Sequence, residues 1–218
     1  MLFHTLYEPE SWVYFDQVDV SIGGIVDENI LFDAWREVVS RHQILRTGFI
    51  WDGVAQPLQI VHEKIELSIT KYDWSDVSPD EAKQKLERYL IDDRNLGFNF
   101  RQAGILRLTW IRMPGQRFQL IWSFHHILLD GWSMPVVFGE IFAIYEALSQ
   151  GQTLDISPAP KYQSFIAWQQ NLDTAESKRF WTEYLKDFSA PTPIPVRNSA
   201  AIADQKIIDS DGGADRYC

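Results

Sequence analysis

The run SFHHILLDGWS at positions 123–133 concentrates side chains that could do chemistry. His125 and His126 are adjacent, and an imidazole takes and gives a proton near neutrality. Asp130 stands four residues after His126, and Gly131, Trp132 and Ser133 complete the run. A carboxylate at that distance can orient a histidine ring, or hold the turn that presents it. Each part has a plain reading, since two histidines can simply end a strand and Asp-Gly commonly makes a turn. The whole run, after a strand and before a helix, is far more specific than either part.

Other chemistries lack their residues. The five histidines (His4, His42, His62, His125, His126) and Cys218 form no CxxC, HExxH or H-x3-H pair, so no metal site is expected. DSDGGAD at 209–215 resembles a calcium loop faintly but lacks the glutamate at the twelfth position, and a solvated tail is the better reading. There is no Walker loop, no GxGxxG after a strand and no GxSxG elbow. What remains is proton transfer by histidine without a protein nucleophile. A substrate amine or hydroxyl would attack an activated acyl group, and nearby donors would stabilise the oxyanion. Residue chemistry alone does not separate this from a structural histidine.

The surrounding pattern must position that run. Residues 11–22 read as a strand closed by Gly23-Gly24, and Asp27 caps a helix through about residue 41 with Ile30, Ala34 and Val38 inward. Residues 46–62 read as two short strands around Asp52-Gly53, followed by a strand at 66–74. Ser78-Pro79-Asp80-Glu81 starts a helix whose stripe is Ala82, Leu86, Tyr89 and Leu90. A hairpin then joins 105–113 to 117–124 through Pro114-Gly115. On its second strand Phe118, Leu120, Trp122, Phe124 and His126 share one face and Ser123 and His125 the other, so the two histidines should diverge. Ser133 caps a helix with Val137, Ile141, Tyr145 and Leu148 inward, and helices follow near 162–171 and 174–188. From Ala190 the chain loses its period and reads as linker or tail. Interleaved strands and helices predict an α/β (α+β layered) domain with a mixed sheet and flanking helices.

Composition narrows the class. Apolar residues make up 45% and charged residues 23% of 218, with nine tryptophans and thirteen phenylalanines, enough for a sizeable core or an apolar cleft. A formal charge of −10 argues against a nucleic-acid partner. No apolar span suits a membrane helix, the N-terminus does not read as a signal peptide, and the lone Cys218 fits a reducing compartment. The cytoplasm is the expected location.

HHILLDGWS resembles the HHxxxDG signature of condensation domains from nonribosomal peptide synthetases. Three further stretches fall in the family's order. MLFHTLYEPES resembles a segment near the start of such domains, RHQILRTGF (41–49) resembles RHxxLRTxF, and YQSFIAWQ (162–169) with ESKRFWTEYL resembles YxDYxxW and its following helix. The family's earliest motif and every motif of its second lobe are absent. The resemblance therefore implies residues 1–189 as an incomplete N-terminal lobe of a chloramphenicol acetyltransferase-like fold, with 190–218 an irregular tail.

It also implies amide (peptide) bond formation between carrier-bound aminoacyl or peptidyl thioesters, in secondary-metabolite biosynthesis. By the same resemblance His126 is the active-site histidine, His125 its structural neighbour, and Gly131 a point of backbone access beside the thioester. Asp130 is expected to pair with Arg46 in a structural salt bridge. No covalent cofactor is implied; phosphopantetheinyl thioesters would arrive on peptidyl carrier proteins, and the missing C-terminal lobe would be a further partner. An apolar face uncovered by that lobe predicts self-association. Two alternatives stay open: a catalytically silent remnant or carrier-docking module, and a coenzyme A-dependent acyltransferase of the wider HxxxDG group.

Overall fold

A computed structural model describes residues 1–8, 11–152, 154 and 159–190. The chain falls into two compact units, Met1–Trp168 and Gln169–Cys218. Of the expected tail only Ala190 is described, and the DSDGGAD string lies outside the described residues.

In the first unit a short helix α1 (Leu2–Tyr7) precedes strand β1 (Phe15–Gly23). Helix α2 (Glu28–Arg41) starts where the Asp27 carboxylate accepts from the Asn29 and Ile30 amides, as the cap residue requires. A 3-10 turn, Gln43–Arg46, leads into β2 (Thr47–Ile50), which pairs antiparallel with β3 (Leu58–Val61). Strand β4 (Ile69–Asp73) leads to α3 (Pro79–Leu96), whose first turn is closed by Ser78 Oγ accepting from the Glu81 amide at 3.2 Å. The hairpin β5 (Leu106–Met113) and β6 (Arg117–His125) then delivers the histidine run ahead of α4 (Ser133–Ser149). Helix α5 (Tyr162–Gln170) follows, and α6 (Ala175–Tyr184) belongs to the second unit.

The main sheet runs in the order β1-β6-β5-β4, with β4 parallel to β5 and the other pairs antiparallel, so it is mixed. Period-two alternation gives it two apolar faces. Leu106, Leu108 and Trp110 of β5 and Leu120, Trp122 and Phe124 of β6 join one core with α2 and α4. There Trp35 of α2 meets Trp122 edge-on at 5.0 Å between ring centres. On the opposite face Ile111 and Ile121 pack under Leu86, Tyr89 and Leu90 of α3. The sheet is thus covered on both sides, and its central strand β6 ends at His125.

Two local differences from the sequence reading have simple causes. Helix α1 was not anticipated, because six residues are too few for a helical period to be read from sequence. Ser133 is the first helical residue of α4 and not its cap. The cap position is Trp132, and the Asp130 carboxylate two residues before it takes the Ser133 amide.

Candidate active site

The two histidines part ways at the end of β6. Register pairs Phe15 with His125 and Asp16 with Phe124, so His125 lies on the face of Phe15 and Ser123. His125 is buried, 3% exposed, against Phe100 edge-on at 4.7 Å between ring centres. Gly48 helps bring Phe100 there: Phe49 donates its amide to the Phe100 carbonyl at 2.8 Å, and a Cβ on Gly48 would stand 3.1 Å from the Gln102 carbonyl oxygen. Both ring nitrogens of His125 are engaged. Nδ1 accepts from the Ile127 amide at 3.0 Å, which leaves the proton on Nε2 to be donated to Thr5 Oγ1 at 3.1 Å. Burial, with smaller contributions from His126 and the N-terminal ammonium, pushes its pKa down to about 4. It also lines a pocket of about 350 Å³ with Thr5, Trp12, Phe15, Arg94 and Phe98. A neutral ring with both nitrogens occupied is a poor proton carrier.

His126 is the opposite case. Its amide is tied to the Tyr14 carbonyl at 2.8 Å, which holds the backbone just past the strand end. Its side chain is 36% exposed, and Nδ1 lies 2.5 Å from Asp16 Oδ2. Nε2 has no partner among the described residues. A ring held at one nitrogen and open at the other is the arrangement general acid–base chemistry needs.

Asp130 and Arg46 do not meet, contrary to the expected salt bridge. The exposed Asp130 carboxylate accepts from the Ser133 amide at 2.9 Å and from Ser133 Oγ at 2.7 Å, bonds that hold its pKa below the ordinary carboxylate value. It caps α4 and closes the turn. Arg46 instead donates through Nη1 to the carbonyls of His62 and Glu63, pinning the end of β3. Two other residues of RHQILRT reach α4 by a different acid: Arg41 Nε and His42 Nε2 both contact Glu140 Oε2, at 3.0 and 2.7 Å. At Gly131 an added Cβ would meet nothing within 4 Å, and the backbone is outside the left-handed region, so packing within the chain does not require glycine there.

The histidine run, its capped turn and the two-faced mixed sheet bear directly on the family. The condensation-domain family matches residues 1–211. The chain belongs to that family. Among curated relatives it is 40% identical over 200 residues to a linear gramicidin synthase of Brevibacillus parabrevis, covering 92% of this chain and 3% of that protein. It is 31% identical over 205 residues to bacitracin synthase 1 of Bacillus licheniformis, covering 94% of this chain and 4% of that protein. Among solved structures, the first condensation domain of the calcium-dependent antibiotic synthetase superposes with a TM-score of 0.75 at 18% identity, over 90% of this chain and 48% of that one. The starter condensation domain of the rhizomide synthetase RzmA gives 0.72 at 17%, over 88% and 48%. The fold is thus that of condensation domains, chloramphenicol acetyltransferase-like, and the chain spans about half the length of those solved chains.

Within this condensation-domain segment one site residue escaped the sequence reading. Asp16 sits at the same strand parity as Val18, Val20 and Ile22, and so on their face of the sheet. A lone carboxylate at an apolar-parity position was the available signal. Among the described residues, no group of three or more His, Cys, Asp or Glu could hold a metal ion, and no helix is long and apolar enough to cross a membrane.

Two measurable consequences follow from these placements. In the unfolded chain His125 takes up a proton near the ordinary value of 6.5, whereas in the folded chain it resists until about 4. Its contribution to stability is therefore complete above 6.5 and lost as pH falls toward 4. Urea unfolding at pH 5 should give a stability about 2 kcal/mol lower than at pH 7, and His125→Gln should flatten that difference. The second concerns Asp130 and Arg46. Asp130→Ala should lower Tm by about 2–4 °C through loss of the cap. Combined with Arg46→Ala the shifts in Tm should add, because the two side chains serve separate partners; strong non-additivity would restore the salt bridge.

Proposed function

We propose that residues 1–189 form the histidine-bearing N-terminal lobe of a condensation domain that joins two carrier-bound substrates through an amide bond. The observation that carries this reading is His126, with Nδ1 tied to Asp16 and Nε2 open, while its neighbour His125 is sealed and neutral. The acceptor amine nitrogen attacks the carbonyl carbon of the donor thioester. A C–N bond forms, the C–S bond breaks, and the phosphopantetheinyl thiol leaves with the proton given up by the amine. His126 Nε2 accepts that proton or holds the amine in line. An α-amine with an unperturbed pKa of about 8 is already partly neutral near pH 7, so orientation contributes alongside proton removal.

The partners in this reading are two loaded peptidyl carrier proteins and the second half of the domain. Support for the latter is the match to only about half of each solved condensation-domain chain. The exposed aromatic residues Phe180, Trp181 and Tyr184 of α6 favour a protein partner or a second copy of the chain. The single cysteine fits a reducing, cytoplasmic setting.

The test combines this chain, the C-terminal half of a condensation domain and two loaded carriers, and follows the amide product by mass spectrometry. Product that depends on both carriers supports the proposal. Acylation from free coenzyme A thioesters with no carrier present would transfer the site to a coenzyme A-dependent acyltransferase. No product, in an assembly where the two halves co-purify, would leave a silent or carrier-docking module.

A further inference from the structure

We infer that Asp16 is the positioning residue of the site, fixing the tautomer of His126 so that Nε2 faces the reacting amine with its lone pair. This deepens the reading above and rests on it for the catalytic consequence. The geometry comes from β1 and not from the histidine run. Asp16 is directly opposite Phe124 in the antiparallel register, and His126 follows Phe124 by two residues, so the carboxylate and the ring emerge on the same side of the sheet. Tyr14, two residues before Asp16, accepts the His126 amide at 2.8 Å. One strand end thus holds both the backbone and the ring of the histidine. Asp16 Oδ2 stands 2.5 Å from Nδ1, and an ionised acceptor strengthens such a bond.

A carboxylate accepts only, so the proton of a neutral ring must lie on Nδ1 and the lone pair on Nε2. Asp130 does not do this: its Oδ1 accepts the amide and the hydroxyl of Ser133 at the start of α4, while His126 Nδ1 is bonded to Asp16. The two aspartates divide the work: Asp130 shapes the turn, and Asp16 sets the ring. Carboxylates that orient metal-ligating histidines are worth about 10–100-fold in activity, and the same range is expected for this ring. A hydrogen bond between two partly exposed side chains contributes little to stability, so the variants should fold.

The experiment labels the 218-residue chain with ¹⁵N-histidine and reads ring tautomers by long-range N–H correlation, with His126→Gln identifying the signal. The proposal expects the neutral ring of wild-type His126 to carry its proton on Nδ1, and Asp16→Ala to change it toward the Nε2–H form. In the assembly competent for amide formation, Asp16→Ala should lower kcat about 10–100-fold with KM little changed, and Asp16→Glu should recover part of the loss. An Nε2–H ring in the wild type overturns the inference, as does an unchanged kcat in Asp16→Ala. If the wild-type assembly forms no amide, the functional reading fails, while the hold of Asp16 on the ring is still decided by the tautomer.

Discussion

Replacing His126 by alanine is expected to slow carrier-dependent amide formation by about 10²–10⁴-fold, the range of a positioned acid–base group. The chain should still fold, since the side chain is 36% exposed and belongs to neither core. A graded series then separates the two ways the ring could act. Asparagine offers a hydrogen-bond acceptor without a titrating nitrogen. If orientation dominates, His126→Asn retains much of the rate and the pH profile keeps its shape. If proton removal dominates, His126→Asn is as slow as alanine. A rate equal to wild type in His126→Ala would move the chemistry off this residue altogether. His125→Asn, by contrast, should act first on stability, because it disturbs a buried ring bonded on both nitrogens.

Asp93→Ala should cost about 3–5 kcal/mol of stability, the expected effect of removing one partner of a buried ion pair. The Asp93 side chain is 2% exposed and Arg107 14%. Arg107 Nε contacts Asp93 Oδ1 at 2.5 Å, while Ser123 Oγ and Gln17 Nε2 donate to Oδ2 at 2.5 and 2.7 Å. One carboxylate on α3 therefore gathers β1, β5 and β6, two residues ahead of His125. Without it the Arg107 guanidinium would keep only the carbonyls of Gly97 and Asp93 and its stacking over Phe98 and Phe15, at 4.5 and 5.5 Å from the ring centres. Urea denaturation of the 218-residue chain measures the loss. Adding Arg107→Met should return much of it, since removing both charges abolishes the unpaired one; a double variant no more stable than Asp93→Ala would deny the pairing.

Asp93 also marks a limit of sequence reading. It follows Leu86, Tyr89 and Leu90 at spacings of seven, four and three, so it belongs to the stripe that α3 turns inward. The apolar members of a stripe announce themselves, whereas a polar member is intelligible only once its partners on other strands are known. Asp16 is the same case on a strand.

Local patterns determined a great deal by themselves. Alternation in 117–124 and the Pro114-Gly115 turn specified the β5–β6 hairpin, and the Asp27 and Ser78 caps set where α2 and α3 begin. Those features depend on neighbours within a few residues, where chain geometry leaves few alternatives. The divergence of His125 and His126 was legible for the same reason. What the tertiary structure decided are pairings between distant segments. Arg46 was expected on Asp130 and instead holds the carbonyls of His62 and Glu63, while Asp130 turns back to Ser133. His126 takes its carboxylate from Asp16, 110 residues earlier, and not from the aspartate four residues on. Every charged residue has several chemically suitable partners, and local period does not rank them. Strand register does, because it alone sets which side chains stand within about 3 Å of one another.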